Sequence, residues 1–427
     1  MQRAYAEREG NLMRVLLYTH HSLFEPALCL AAALAERAEV HLLLEVPAGQ
    51  WQLANFEVAQ QQLPTGLIDA NAVLAPHYPA GVRAAWQGTA SFHLVVPGRF
   101  RARDPRSVRQ AGRILGWIRE LDPDVMHLDD VDVSPRLALA LAGRRTPHSL
   151  VVGCHDPDPH SGERRWRLKL WVRKLVLPRA DAVVVHHRSG ATALRRRHPR
   201  LRKPVRVVHL GAYTFLQEMA DQPERETPRS RPTILLFGRI TPYKGLEQLY
   251  RVAPVVASAV SDLRVVVAGN PVRGYEPPPV PSLENGGQVE TRFEYVPAHD
   301  TPALFAEADV VVCPYTDASQ SGVVLTAFAL GRPVVVTNVG GLAEYVEDGT
   351  SGIVVPAGDD EQLADALIRC LRDPELAGHL TRGVVEAVEG RLSWARAAAE
   401  LLGVYEQAVT GSGRARGWVK SQRSPGE

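Results

Sequence analysis

The order of apolar segments along this 427-residue chain predicts two doubly wound α/β domains. Each is a parallel sheet with helices on both faces, and the two sheets meet across a cleft at their carboxyl edges. Three observations carry that expectation. Strand-like runs alternate with helical patterns through both halves, and the runs are continuously apolar and β-branched rather than alternating. A charged, proline-rich segment from Gln222 to Pro232 then splits the alternation in two. Continuous runs mark strands buried on both faces, which requires parallel pairing under helical cover. Length agrees, since domains of about 150 residues leave room for two or three.

In the first half, strands are expected at Arg14 to Tyr18 and Val40 to Glu45, with a helix from Glu25 to Glu36 between them. Phe92 to Val96 and Val125 to Leu128 follow, separated by a helical pattern over Arg106 to Glu120, then Leu150 to Cys154 and Ala182 to Val185. After the linker the pattern restarts at Ile234 to Phe237, Leu263 to Ala268, Arg292 to Val296, Val310 to Cys313, Val334 to Val336 and Ile353 to Val355. These runs delimit domains at 13–215 and 230–390, a last helix over 391–410, and flexible ends at 1–12 and 411–427.

Composition narrows the function classes. Hydrophobic residues make up 45% and charged residues 22%, the balance of a globular protein with an ordinary core. The four cysteines are scattered without a C-x-x-C pair, which argues against a zinc ribbon or disulfide framework and suits a reducing cytoplasm. No apolar run approaches a membrane span, and no secretory leader is visible in the polar residues 1–12. After Tyr18 comes Thr-His-His-Ser-Leu-Phe, without the glycines of a dinucleotide fingerprint. A nicotinamide or flavin cofactor is therefore not expected.

Charge is unevenly spread. From Glu163 to Arg206 fifteen Lys and Arg stand against two acidic residues, Glu163 and Asp181. Such a block suits an anionic partner, either lipid headgroups at the inner face of a membrane or a phosphorylated substrate; it equally suits a basic face turned to water. Trp166, Leu170, Trp171 and Leu175 would anchor an in-plane helix, but Arg167, Arg173 and Lys174 fall among them on the wheel. Nucleic acid is not expected, because no binding module accompanies the charge.

One lysine stands apart. Between Lys203 and Lys420 the only lysine is Lys244; arginine carries all other positive charge there. A flexible point charge and a planar fork are not interchangeable around a phosphate. Gly238 and Arg239 follow an apolar strand, and Tyr243-Lys244-Gly245 opens a helical pattern. Two cations at a strand-to-helix turn make an anion site suited to a diphosphate, though a surface turn with two solvated charges has the same spacing. Asp130-Val-Asp132 has the form of a metal motif but reads better as a loop of solvated carboxylates, and no histidine pair has the i, i+4 spacing of a helical zinc site. His155-Asp156 directly follows a buried strand, so it faces the cleft. The other histidines, His20 and His21 among them, read as polar groups at strand ends.

The segment Phe237-Gly-Arg-Ile-Thr-Pro-Tyr-Lys-Gly245 resembles the glycosyltransferases of family 4. The likeness continues through Val267-Ala-Gly-Asn270, Leu304 to Pro314, Leu330 to Gly341 with Glu344, and Gly349 to Pro356, and more loosely through Pro123 to His127, His155-Asp156 and Ala180 to Val184. Ser393-Trp394 resembles the start of the family's last helix, which returns to the first domain. The resemblance implies the two-Rossmann GT-B architecture, a nucleotide diphosphate sugar as donor, and a sugar, lipid-linked or phosphorylated acceptor on the first domain. It also implies retention of anomeric configuration and no metal. Arg239, Lys244 and His155 would be catalytic. Gly238, Asn270, Gln320, Ser321, Gly322, Val323, Thr326 and Glu344 would bind the donor, and His20, His21 and Asp156 would lie on the acceptor side.

One departure stands out. The family's paired glutamates, seven residues apart, are replaced by Ala318 and Thr326 in Asp317-Ala-Ser-Gln-Ser-Gly-Val-Val-Leu-Thr-Ala327. The Gln320-Ser321-Gly322 loop resembles a variant subgroup. Two other readings stay open: a nucleotide-sugar epimerase on the same fold, and a catalytically silent subunit that binds nucleotide sugar.

Overall fold

The computed structural model of the chain describes residues 12–46, 63–97, 105–131, 148–158, 166–219, 231–318 and 321–411. Residues 222–230 of the linker, Asp132, Arg164, Arg165 and Gln320 lie outside them.

The first half contributes β1 (Arg14–His20), β2 (Glu39–Glu45), β3 (Gly66–Asp69), β4 (Ser91–Val96), β5 (Val125–Leu128), β6 (Ser149–Gly153), β7 (Ala182–Val185) and β8 (Val205–Val207). They form one sheet in the order β3-β4-β2-β1-β5-β6-β7-β8. Every pair is parallel except β3–β4. The second half contributes β9 (Thr233–Phe237), β10 (Arg264–Ala268), β11 (Gln288–Arg292), β12 (Val310–Cys313), β13 (Val334–Thr337) and β14 (Gly352–Val355). Their order is β11-β10-β9-β12-β13-β14, all parallel. Counted from β9 this is the 3-2-1-4-5-6 order of a doubly wound sheet, whose ligand crevice opens where the order reverses. The reversal falls between β9 and β12 here, and between β1 and β5 in the first sheet.

Three expectations need correction. β11 ends at Arg292, where the strand was expected to begin, because Gln288-Val-Glu-Thr-Arg is an edge strand with no apolar run. Its charges pair along the edge instead: Glu290 accepts from Arg264 and from Arg292, both at 2.6 Å. The first sheet is not wholly parallel, since the four-residue edge strand β3 runs antiparallel to β4. Neither β3 nor the three-residue β8 is long enough to show a hydrophobic period.

The third correction bears on the site. The helix expected from Tyr243 starts at Leu246 and runs to Ala259, after a separate 3₁₀ turn at Pro242–Lys244. Gly245 breaks the two apart with φ +73°, and a Cβ there would lie 1.9 Å from the Pro314 carbonyl oxygen. Glycine thus lets the turn after β9 touch the loop after β12.

The last helix, Trp394–Gly411, packs against the helix Phe24–Ala35 and against β6 in the first domain. Trp394 Nε1 donates to the Ala212 carbonyl at 2.6 Å, and the Ala212 N–H donates to Leu392 at 2.9 Å. The Tyr213 N–H donates to the Leu325 carbonyl of the second domain at 3.2 Å, which fixes the crossover segment beneath the helix Gly322–Ala329.

Gly245→Ala should cost more than about 2 kcal/mol, combining left-handed strain with a backbone clash. Gly349→Ala, at φ +72° with nothing within 4 Å, carries the strain alone and should cost about 1 kcal/mol. Urea denaturation of both variants measures the difference; equal losses would mean that the Pro314 contact is not formed.

Candidate functional site

Lys244 sits at the reversal point of the second sheet. Its Nζ donates to the carbonyl of Phe237, the last residue of β9, at 3.3 Å, and stands 5.3 Å from the ring centroid of Tyr315, just past β12. Neither group neutralises the ammonium. Burial lowers Lys244 from its ordinary 10.5 to about 8; Cys313 opposes the fall and the nearby Arg239 charge adds to it. Arg239 itself is exposed at the mouth. A Cβ on Gly238 would lie 2.9 Å from Lys244 Nζ and 3.3 Å from Val323, so the three residues converge. The Asn270 carbonyl accepts from the Ile240 N–H at 3.0 Å, which ties the turn after β10 to the same edge.

The helix Gly322–Ala329 opens beside this edge without a side-chain cap: Ser321, its N-cap residue, turns Oγ to the Tyr315 hydroxyl at 3.4 Å. Its first N–H groups add partial positive charge to that of the two cations. Gly238, Arg239, Lys244, Asn270, Ser321, Gly322 and Val323 thus gather at one carboxyl edge. Thr326 lies one turn further in and is buried, and Ala318 is packed into the apolar core.

The opposite wall forms at the reversal point of the first sheet. The Asp129 N–H donates to Tyr18 at 2.9 Å, bridging β5 to β1. Its carboxylate accepts from His155 Nε2 at 2.9 Å and from Thr19 Oγ1 at 3.3 Å. A Cβ on Gly153 would lie 2.1 Å from Asp129 Oδ1, so the glycine ending β6 makes room for this buried pair. Burial opposes both charges, but each partner holds the other ionised: His155 is raised and Asp129 falls well below the usual carboxylate range. His186 stacks on His155 with ring centroids 4.2 Å apart. Its Nδ1 donates to the Val208 carbonyl at 3.0 Å, and burial lowers it to about 3. Burial likewise takes His127 down to about 4. Sequence reasoning did not single out Asp129; a glycine interrupting the run Leu150-Val-Val-Gly153 is the signal of close approach that points to it.

Asp130 is not a solvated carboxylate, as the sequence suggested. It pairs with Arg173 at 3.2 Å and with Lys169 at 3.5 Å, and Lys169 also reaches Asp156 at 3.7 Å. Two cations of the basic segment therefore point inward from the helix Trp166–Val176. Arg167, Leu168, Trp171 and Lys174 face outward, with Leu168 and Trp171 44% and 53% exposed. His20 and His21 lie edge-to-face at the end of β1, with His20 Nδ1 against Ser22 Oγ.

The domains touch across the cleft. The Tyr243 hydroxyl, raised by burial, is pushed up further by Asp156 of the first domain and by Asp317. Glu344 accepts from the N–H groups of Arg188 and Ser189 at 2.7 and 2.9 Å and from Ser189 Oγ at 2.9 Å, so it caps the first-domain helix Arg188–Arg197. Although burial opposes ionisation, those hydrogen bonds hold the Glu344 carboxyl below its ordinary range. Tyr345 OH donates to the His186 carbonyl at 2.8 Å.

Two family models match the chain: the one described as "Glycosyltransferase Family 4" over residues 27–214, and "Glycosyl transferases group 1" over 231–373. A D-inositol 3-phosphate glycosyltransferase of Saccharomonospora viridis is 33% identical over 249 residues, 55% of this chain and 57% of that protein. A phosphatidyl-myo-inositol mannosyltransferase of Mycobacterium leprae is 34% identical over 187 residues, 43% and 48% of the two chains. The matches thus span only about half the length of these relatives. Among solved structures, Anabaena HepE in complex with UDP-glucose aligns at TM-score 0.61 with 16% identity, covering 92% of this chain and all of that one. That likeness establishes the GT-B fold.

Two tests follow from the geometry. The folded pKa of Lys244, about 8, lies below its unfolded 10.5. Between these values the unfolded chain binds more protons, so stability rises with pH across that window, and below it the buried charge costs on the order of 3 kcal/mol. Lys244→Met should therefore be more stable than wild type at pH 7 in calorimetry and lose the rise between pH 8 and 10.5. A variant less stable at pH 7 would mean that the ammonium is already neutralised. Glu344→Ala leaves two helix N–H groups without acceptor and should cost about 1 to 2 kcal/mol. A stability unchanged in urea denaturation, together with weaker ligand binding, would instead assign Glu344 to the ligand.

Proposed function

The chain belongs to glycosyltransferase family 4, and we propose that it moves a glycosyl group from a nucleotide diphosphate sugar to an acceptor held by the first domain. The carrying observation is the buried Lys244 ammonium, with Arg239 beside it, at the reversal point of the second sheet. In such a transfer the bond between the anomeric carbon and the diphosphate oxygen breaks, and its electron pair leaves with the diphosphate. Charge builds on that oxygen. Lys244, Arg239 and the helix N-terminus at Gly322 meet it with preorganised positive charge, the task a metal ion performs elsewhere. The acceptor hydroxyl attacks from the face the diphosphate leaves, so configuration is retained, and its proton passes to the departing phosphate oxygen. His155, fixed by Asp129, orients the donor sugar from the opposite wall, while Thr326 offers its hydroxyl where the family places a ribose-binding glutamate.

For the donor, a uracil nucleotide is favoured by the fold's likeness to a protein solved with UDP-glucose. For the acceptor, a phosphorylated or lipid-linked polyol is favoured by the relatives' names and by the basic segment. The outward face bearing Arg167, Leu168, Trp171 and Lys174 would rest on an anionic membrane when the acceptor is a lipid. Such contact is electrostatic and weakens with salt. None of the described helices is long and apolar enough to cross a membrane.

The test is release of nucleoside diphosphate from a panel of nucleotide sugars, with inositol phosphate or phosphatidylinositol vesicles as acceptor and a chelator present throughout. Acceptor-dependent release that survives chelation is expected, falling by about 10²- to 10³-fold in Lys244→Ala. Interconversion of the nucleotide sugar without net nucleoside diphosphate release would indicate an epimerase, and binding without turnover a silent subunit. Loss of activity on chelation would overturn the metal-free mechanism.

A further inference from the structure

The first-domain wall holds more ligating chemistry than sugar positioning requires. One ligand atom each from Asp129, His155 and His186 lies within 4.8 Å of the others, and all three residues are buried. His186 Nδ1 is committed as a donor to the Val208 carbonyl, so its Nε2 presents a lone pair, and that buried atom has no hydrogen-bond partner among the described residues. A backbone carbonyl behind one imidazole nitrogen is how metal-binding histidines are commonly oriented. The second oxygen of Asp129 is likewise anchored, by Thr19. The three residues border a cavity of about 20 Å³, room for a single water or ion, beneath Trp394 and Leu401 of the last helix. His127 lines the same cavity with Nε2 unpartnered among the described residues, while its Nδ1 meets the Tyr405 hydroxyl at 2.7 Å.

We propose that Asp129, His155 and His186 form a binding site for one divalent d-block cation of the zinc or cobalt class, and that its occupancy switches transfer off. Two imidazoles and a carboxylate suit zinc, cobalt, nickel or copper rather than magnesium or calcium, which prefer all-oxygen cages. Binding requires the Nε2 proton that His155 shares with Asp129 to leave for solvent, and the ion takes its place between them. The fourth position faces the cavity, where a metal-bound water meets His127. With its Nε2 on the metal, His155 loses the hydrogen bond to Asp129 that fixes its ring toward the donor sugar. The inhibitory half of the proposal rests on the transferase reading; the binding half does not.

Cobalt titration of the full chain, stripped of metal by chelation, separates the two halves. One ion per chain is expected, with the intense visible absorption of a four-coordinate site, and zinc should displace it. His186→Asn keeps a donor to Val208 but removes the ligand nitrogen, and should weaken cobalt binding at least about 100-fold. Asp129→Asn, which is isosteric, should do the same and serves if the first variant does not fold. His187→Asn, a neighbouring histidine outside the cluster, should bind like wild type. Absence of the visible bands, or bands that survive both variants in folded protein, would overturn the site and leave the cavity to water. Zinc should also suppress transfer, and chelation restore it. Stoichiometric binding with undiminished transfer would overturn the inhibitory role and would argue against His155 acting on the donor.

Discussion

A positive charge held out of water organises the second domain. Lys244 is buried where one backbone carbonyl and the Tyr315 ring meet it, with no counter-charge among the described residues. An ammonium in that setting is costly, and the cost is visible in the lowered pKa. The surroundings are consistent with keeping it there: the apolar strands β9 and β12 fix the turn from both sides, Gly245 allows their loops to meet, and Gly238 leaves room above the ammonium. An anion bound beside it would recover that cost, so under the proposed transfer stability and function pull in opposite directions at this residue.

The first domain solves the converse problem. At its own reversal point a carboxylate, Asp129, is buried, and its charge is met inside the protein by His155 rather than by a ligand. Both walls use a glycine at a strand end to bring a charged group close to backbone, Gly153 on one side and Gly238 on the other. The cleft therefore presents unsatisfied positive charge on one side and an internally balanced pair on the other.

The domains share one apolar cluster, and polar contacts are added at its edge. Glu344 and Tyr345 reach from the second domain to the helix Arg188–Arg197 and to His186, the Tyr213 amide reaches the other way, and the last helix returns to cover the first sheet. His186 is thereby linked to the interface through its backbone and to the buried cluster through its ring. The residue whose carbonyl meets the second domain is therefore also one that lines the cavity.

Much of this was legible from residues alone. The uniform β-branched runs located the buried strands to within a residue or two, because a strand covered on both faces has nowhere to place a polar side chain. Lys244 declared itself as an isolated lysine in an arginine-rich chain, beside a glycine-bounded strand. What the sequence could not supply was anything set by contact between distant segments. The edge strand β11 was misplaced because its residues satisfy neighbours across the sheet edge rather than a hydrophobic period. Asp129 carried no local sign of its role; it becomes a site residue only when β1, β5 and β6 lie side by side and Gly153 lets it approach His155. Lys169 and Arg173, two charges among fifteen in the basic segment, were turned inward only by the fold, which set Asp130 and Asp156 beneath them. Local burial and chain stiffness are written in composition and period, whereas pairing between charges depends on where the chain brings them together.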